Sequence, residues 1–188
     1  PRMSIEIVSL QVGGHPPPLG ARGAGGESGI RRPSVAGPVA LGPEGFAGDA
    51  VADPEHHGGP DRAVSCYPVE SFAAWREEFP GHPFPPGSFG ENLTLRGEDD
   101  GTACIGDVWQ VGTARVQITQ PRWPCGKIDR TTAQAGLLKR LMQTGRTGWL
   151  LRVLEPGEVS APAEVRLLER PHPEWTVRRT FEVGRRLM

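Results

Sequence analysis

Cysteine is scarce in this chain: Cys66, Cys104 and Cys125 are the only three in 188 residues, and no two form a Cys-x-x-Cys pair. An odd count without that pairing argues against a disulfide framework and for reduced thiols in the cytoplasm. Three thiols also fall short of the four that usually hold an iron–sulfur cluster. No apolar run approaches the roughly 20 residues needed to cross a bilayer, and the N-terminal stretch lacks the basic-then-apolar order of a secretory signal. No Gly-x-Gly-x-x-Gly run opens a helix, which argues against a bound dinucleotide. Charge of either sign is not in excess: 21 Lys and Arg face 22 Asp and Glu, for a net −1. Neither a nucleic acid nor a membrane surface is an expected partner. The pairs Arg178-Arg179 and Arg185-Arg186 are too short to change that.

What the chain has in quantity is Gly (26) and Pro (20), with a hydrophobic fraction of 37%. That composition predicts one turn-rich domain over residues 1–188, in which about 70% of the unfolded surface becomes buried. Ser4 to Val12 reads as an opening strand with Ile5, Ile7 and Ser9 on one face. A Gly/Pro-rich loop follows at 13–29, then an irregular strand over Ile30 to Leu41, interrupted by Pro33 and Pro38. Ala63 to Tyr67 is a short strand, and Pro68 to Phe79 a helix with Pro at its first position. Leu93 and Leu95 face inward from a strand after a glycine turn. Asp107–Val111 and Ala114–Gln120 form the clearest hairpin, joined by Gly112-Thr113, with Ala114, Val116 and Ile118 alternating against Arg115, Gln117 and Thr119. A second helix is expected over Thr132–Thr144, and strands at Trp149–Leu154 and Glu164–Leu168. The charged tail after Pro171 reads as a short helix. Many short strands with few helical excursions predict a mostly β fold: a closed or nearly closed β-barrel with two or three peripheral helices.

Three stretches carry chemistry. In Gln120-Pro121-Arg122-Trp123-Pro124-Cys125-Gly126-Lys127-Ile128, a cysteine lies just past a strand end, with Arg122 and Lys127 on either side. Two nearby cations favour the thiolate, the form that attacks or binds metal, although an inert loop cysteine remains the alternative. Cys66 and Cys104 have no such setting and read as packing residues. In His56-His57-Gly58-Gly59-Pro60-Asp61-Arg62, a tight turn brings Arg62 and backbone amides toward an anion, or simply exposes an ion pair. In Phe89-Gly90-Glu91-Asn92-Leu93, Glu91 and Asn92 are either presented to a ligand or are ordinary turn formers.

Together these three motifs, in this order, resemble the MOSC domain, the family related to the C-terminal domain of molybdenum cofactor sulfurases, and in particular its stand-alone bacterial subgroup. The resemblance extends through Leu141-Met142-Gln143, Gly148-Trp149-Leu150 and Pro156-Gly157. It implies a β-barrel that binds the molybdenum cofactor, with Cys125 as protein ligand to the metal. It also implies contacts to the cofactor from Arg62, Asn92, Arg122 and Lys127, and from Arg32, which stands where relatives often have Lys. The activity implied is reduction of N-hydroxylated compounds, such as hydroxylamino purines, to the amine and water, with Glu91, Asp61 or His57 as the acid. Because no nicotinamide, flavin or cluster signature is present, electrons are expected from a redox partner protein. The other reading of the same residues is a carrier of cofactor or sulfur, with Cys125 as a persulfide. The oligomeric state is left open.

Overall fold

The computed structural model describes residues 4–13, 32–49 and 58–187; most of the Gly/Pro-rich stretch, and His57, lie outside the described residues. Within them the order is β1 (Ile5–Leu10), β2 (Val39–Gly42), β3 (Gly45–Phe46), a 3-10 turn (Pro60–Arg62), β4 (Val64–Pro68), α1 (Glu70–Glu78), β5 (Leu93–Arg96), β6 (Val108–Val111), β7 (Ala114–Pro121), α2 (Lys127–Thr132), α3 (Leu137–Thr144), β8 (Trp149–Glu155), β9 (Gly157–Val159), β10 (Ala163–Glu169) and α4 (Val177–Arg186). Seven strands close a barrel in the order β1-β10-β6-β7-β8-β4-β5, and β3-β2-β9 form a small second sheet. Closure leaves the barrel without a free edge, as expected from so many short strands. Its neighbours are antiparallel except β4 and β5, which run parallel because α1 carries the chain across between them. No helix among the described residues is long and apolar enough to cross a membrane.

The β6–β7 hairpin follows its alternation: Ala114, Val116 and Ile118 are buried, and the residues between them half-buried. Gly112 at its turn has φ +58, and a Cβ there would run into the Glu158 backbone of β9. Strand β1 departs from the expected pattern. Its pairing with β5 slips between Ile7 and Ser9, so that Leu10 rather than Ser9 continues the buried face. The strand expected over 30–41 contracts to β2, with Ser34 making only a single bridge to Gln11. Pro68 is the last residue of β4, paired with Leu95, so α1 starts two residues later than expected.

The helix expected at 132–144 is two helices. Ala133 adopts a left-handed conformation (φ 54) and Gly136 a positive φ of 88. The Asp129 carboxylate accepts from the Gly136 and Leu138 amides, which fixes the break and starts α3. With α4, capped by the Thr176 hydroxyl on the Arg179 amide, this makes four helices among the described residues.

Two cores result. The barrel interior contains Ile7, Leu10, Val64, Leu95, Val116 and Leu151 and an edge-to-face Trp109–Trp149 pair at 6.0 Å. Outside it, Tyr67, Phe72, Trp75, Phe84 and Phe89 stack beneath α1 and against Ile128, Leu137 and Leu141 of α2 and α3. Tyr67 and Phe89 lie nearly parallel, 4.1 Å between centroids. The Trp75 indole donates to the Tyr67 hydroxyl (2.7 Å), which donates to the Arg146 carbonyl (2.8 Å). Each buried aromatic removes roughly 2–3 kcal/mol worth of apolar surface from water.

Gly148 sits where β8 enters the barrel, at φ +73, and a Cβ there would overlap the Cys66 carbonyl oxygen and lie 2.9 Å from the Tyr67 ring. Gly148→Ala is therefore expected to lower unfolding stability by about 2 kcal/mol or more. Gly126→Ala, at φ −62 with nothing within 4 Å, is expected to cost less than about 1 kcal/mol. Urea denaturation of both variants checks the contrast; equal losses would show that the close approach at Gly148 is not what constrains it.

Candidate functional site

The loop bearing Cys125 is pinned at both ends. Strand β7 ends with Pro121 paired to Trp149, and the Arg122 amide extends that pairing by donating to the Gly148 carbonyl at 3.0 Å. On the far side, the Cys125 carbonyl accepts from the Ile128 amide (3.1 Å), and Ile128 is buried in the outer core. Between them Trp123 packs on Phe181 of α4, 4.6 Å between centroids. Gly184 makes room for the indole, since a Cβ there would come within 2.8 Å of it. Cys125 is half-buried and opens on a narrow recess lined by Phe89, Arg122, Pro124, Ile128, Leu141 and Thr147, with space of about 10 Å³, room for a single water. Cys66 and Cys104 are both buried, as expected of packing residues. Burial, and then the charge of Glu91, push the Cys66 thiol well above its ordinary range, which keeps it unreactive.

The wall facing Cys125 is the loop at 87–92, and Glu91 organises it. Its carboxylate accepts from the Gly87 amide (2.6 Å), the Phe89 amide (3.1 Å) and the Thr94 hydroxyl (3.0 Å) while fully buried. Burial raises its pKa, and the Gly87 amide, the Thr94 hydroxyl and the charge of Arg122 only partly oppose that. The outward carbonyls of the same loop receive two guanidiniums: Arg122 donates to the Phe89 carbonyl, and Arg32 to the Gly90 carbonyl. Arg32 is also ion-paired with Asp49 at 2.8 Å. Burial weakens the proton affinity of Arg122 most, Glu91 opposes that, and the like charge of Arg32 adds to the loss, while Cys125 and Tyr67 support the charged form. Arg32, Arg122, Glu91 and Cys125 thus share one electrostatic neighbourhood. Asn92 is engaged elsewhere: its carbonyl accepts from the Ser65 amide (3.0 Å), and its amide group donates to the Gln11 carbonyl (3.2 Å) and the Asp49 carboxylate (2.9 Å).

Next to this wall lies a cleft of about 440 Å³ lined by Arg32, Pro33, His82, Pro85, Ser88 and Thr131 among others, a volume suited to a small organic ligand. His82 and Thr131 carried no weight in the sequence, where Pro80 to Pro86 read only as the end of a helix. Lys127 is exposed as the first residue of α2. Asp61 is exposed and ion-paired with Arg152 (3.0 Å), and its carbonyl accepts from the Thr119 hydroxyl of β7 at 2.7 Å, which places the 3-10 turn beside the end of the strand leading to Cys125. Arg62 is half-buried in that turn. The geometry therefore brings Arg32, Arg122, Glu91 and Cys125 together, keeps Asp61 and Lys127 exposed, and binds Asn92 into the framework. Among the described residues, no group of three or more His, Cys, Asp or Glu side chains converges as a metal site.

The sequence profile of the MOSC domain matches residues 53–166. This chain belongs to the MOSC domain family. It is 42% identical over 165 residues to the uncharacterised protein YflK of Bacillus subtilis, covering 88% of this chain and 74% of that one. A protein called Reductase from Gibberella moniliformis is 37% identical over 173 residues, covering 90% of this chain but only 31% of the fungal protein. The crystal structure of YiiM from Geobacillus stearothermophilus superposes with a TM-score of 0.80 at 35% identity, over 96% of this chain and 84% of that one. MOSC domains are associated with the molybdenum cofactor.

One further residue supports the recess of this MOSC domain and had no signal in the sequence beyond an acidic turn. Asp100 is fully buried, and one carboxylate oxygen accepts from the amides of Thr147 (3.1 Å) and Gly148 (2.8 Å). It thereby fixes Thr147, which lines the recess, and Gly148, whose carbonyl holds Arg122. Burial outweighs these bonds and the charge of Arg178, and raises its pKa to about 6. Between the ordinary carboxylate value near 4 and that value, the folded protein keeps a proton the unfolded chain has lost, so stability falls as pH rises through this window. Asp100→Asn retains the accepting oxygen and removes the titration. Measured by urea denaturation, its stability relative to the parent is expected to improve by roughly 2–3 kcal/mol between pH 4 and pH 6.5; parallel pH profiles would refute the assignment.

Proposed function

We propose that this MOSC domain binds the molybdenum cofactor, with the Cys125 thiolate as ligand to the metal, and works as an oxidoreductase that reduces N-hydroxylated compounds such as hydroxylamino purines. The observation that carries this reading is the pairing of a half-buried cysteine with two guanidiniums held close enough to disfavour one another. Such a site favours an anion, and a soft thiolate beside it suits molybdenum coordinated by dithiolene sulfur. Arg122 spends a donor on the Phe89 carbonyl, and Arg32 spends donors on the Gly90 carbonyl and on Asp49; the remaining N–H groups of each fork are what an anionic group would meet, and Lys127 adds an exposed cation. The cleft beside Arg32 offers volume for the organic part of the cofactor.

When bound, the cofactor supplies two-electron redox chemistry at the metal. The protein's part is to anchor that metal through Cys125, to bind and orient the substrate beside it, and to deliver protons. The reaction balances as R–NHOH plus two electrons and two protons giving R–NH2 and water: the N–O bond breaks, and both electrons come from a donor protein. Glu91 spends its carboxylate on the 87–94 loop, which leaves exposed Asp61 as the candidate acid among the described residues; His57 lies outside them. The likeness to a fungal protein called a reductase supports the redox assignment, and three free cysteines suit a reducing cytoplasm.

Elemental analysis of protein made in a cofactor-producing host tests the reading. Parent protein is expected to carry close to one molybdenum per chain, and Cys125→Ala at least tenfold less, with a matching loss of dithionite-driven hydroxylamino purine reduction. Equal molybdenum in both would overturn the ligand assignment, and a persulfide on Cys125 of metal-free protein without turnover would favour the carrier reading.

A further inference from the structure

Net charge hides a strong segregation. Residues 122–146 and 177–186 carry ten Lys and Arg against two acids, a net +8, whereas the remainder of the chain carries −9. These segments are the Cys125 loop and the helices α2, α3 and α4, and the structure packs them against one another. Asp129 links α2 to the start of α3 by accepting from the Gly136 and Leu138 amides. Arg185 of α4 donates to the Met142 and Gln143 carbonyls at the end of α3. Trp123, two residues before Cys125, packs on Phe181 of α4.

Against these cations stand Asp129, whose carboxylate accepts from backbone amides, Glu182, half-buried on α4, and Glu78, which reaches across from α1 to pair with Arg140 and Arg146; Lys127, Arg130, Lys139, Arg179 and Arg186 remain exposed. An apolar group is interspersed: Val183 of α4 is 40% exposed. A mainly one-signed charged surface with an apolar contact, adjoining a reactive centre, is suited to fast, salt-sensitive and transient association with an oppositely charged protein.

We propose that the basic face of α2, α3 and α4 docks an acidic one-electron carrier protein, the donor that the reduction proposed above requires. Residues 1–188 carry no cluster or dinucleotide signature, and the reduction proposed above draws its electrons from a donor. Cys125 lies in the loop that these helices frame, so a carrier seated there delivers its electrons next to the proposed metal ligand. Two docking events, or a carrier reduced twice, complete one N–O cleavage, and the carrier is oxidised.

The test compares two charge reversals of equal net effect, Arg130→Glu/Lys139→Glu on the face and Arg96→Glu/Arg166→Glu on the barrel, with cofactor-loaded protein. The probes are a purified flavodoxin and a plant-type ferredoxin, both acidic, with basic cytochrome c as control; binding is measured by calorimetry at low and moderate salt. The face variant is expected to weaken binding of an acidic carrier tenfold or more, the barrel variant less than threefold, and added salt is expected to weaken parent binding. Equal weakening by both pairs, tighter binding of cytochrome c, no binding of either acidic carrier, or tighter binding of duplex DNA or anionic vesicles would each overturn the docking face. Dithionite-driven turnover bypasses the carrier. Its absence would refute the proposed reduction while leaving the binding result to stand, and its presence with carrier-driven rates equal in both variants would refute the docking face alone.

Discussion

Glu91 has no contact with solvent, yet its carboxylate is bonded to two amides and a hydroxyl of the segment that carries it. Stripping a carboxylate of water costs several kcal/mol, and bonds to a charged acceptor recover about 1.5–3 kcal/mol each, so three of them largely offset the burial. The consequence is directional. Drawing the Gly87 and Phe89 amides inward leaves the Phe89 and Gly90 carbonyls to accept from Arg122 and Arg32. One buried anion therefore sets the position of two cations, and part of its charge offsets their mutual repulsion. Removing the carboxylate would free the loop and leave both guanidiniums without the groups that aim them.

How much of this was legible in the sequence depends on the range over which each feature is determined. The β6–β7 hairpin was readable because alternation and Gly112 are local signals, and barrel closure followed from the number and shortness of the strands. Cys125 stood out by its neighbours in sequence. Glu91 and Asn92 were conspicuous too, but turn residues that present side chains to a ligand look the same as residues that stitch distant backbone together. Asn92 bonds to Ser65, Gln11 and Asp49, partners 27 to 81 positions away, and no window of sequence contains them. Asp100 was silent for the same reason, its partners Thr147 and Gly148 lying 47 and 48 positions further on. The broken helix at 133–136 is a milder case: Gly136 was visible, but a preference for continuing a helix was overridden by the Asp129 side chain bonding two amides beyond the break.

The outer aromatic core explains how a site built from loops stays fixed. Phe89 belongs at once to the Glu91 loop, to the recess beside Cys125 and to the stack with Tyr67 and Phe84. Tyr67 continues from barrel strand β4, and its hydroxyl joins Trp75 of α1 to the Arg146 carbonyl. Arg146 in turn lies 3.9 Å over the Trp75 ring and pairs with Glu78. Displacing the wall opposite Cys125 would thus disturb packing in the barrel, in α1 and in the connection to β8 together, which is a larger penalty than any one of those contacts carries.

Helix α4 supplies the remaining constraint, and it acts on the cysteine from behind. Phe181 is buried, and against it rests Trp123, whose indole fits only because residue 184 has no side chain. The same helix sends the Arg178 amide to the Asp100 carbonyl at 2.6 Å, the residue that fixes Thr147 and Gly148. The strand-side end of the Cys125 loop is therefore tied to α4 twice, through Trp123 and through Gly148 and the Arg122 amide. A helix with five charged residues in ten is held by buried Val177 and Phe181, by the Val177 and Arg178 amides bonded to the Ala103 and Asp100 carbonyls and by Arg185 on the end of α3, while Arg179 and Arg186 are left exposed. Its burial serves the geometry of the cysteine loop, and its exposure sets the field around it.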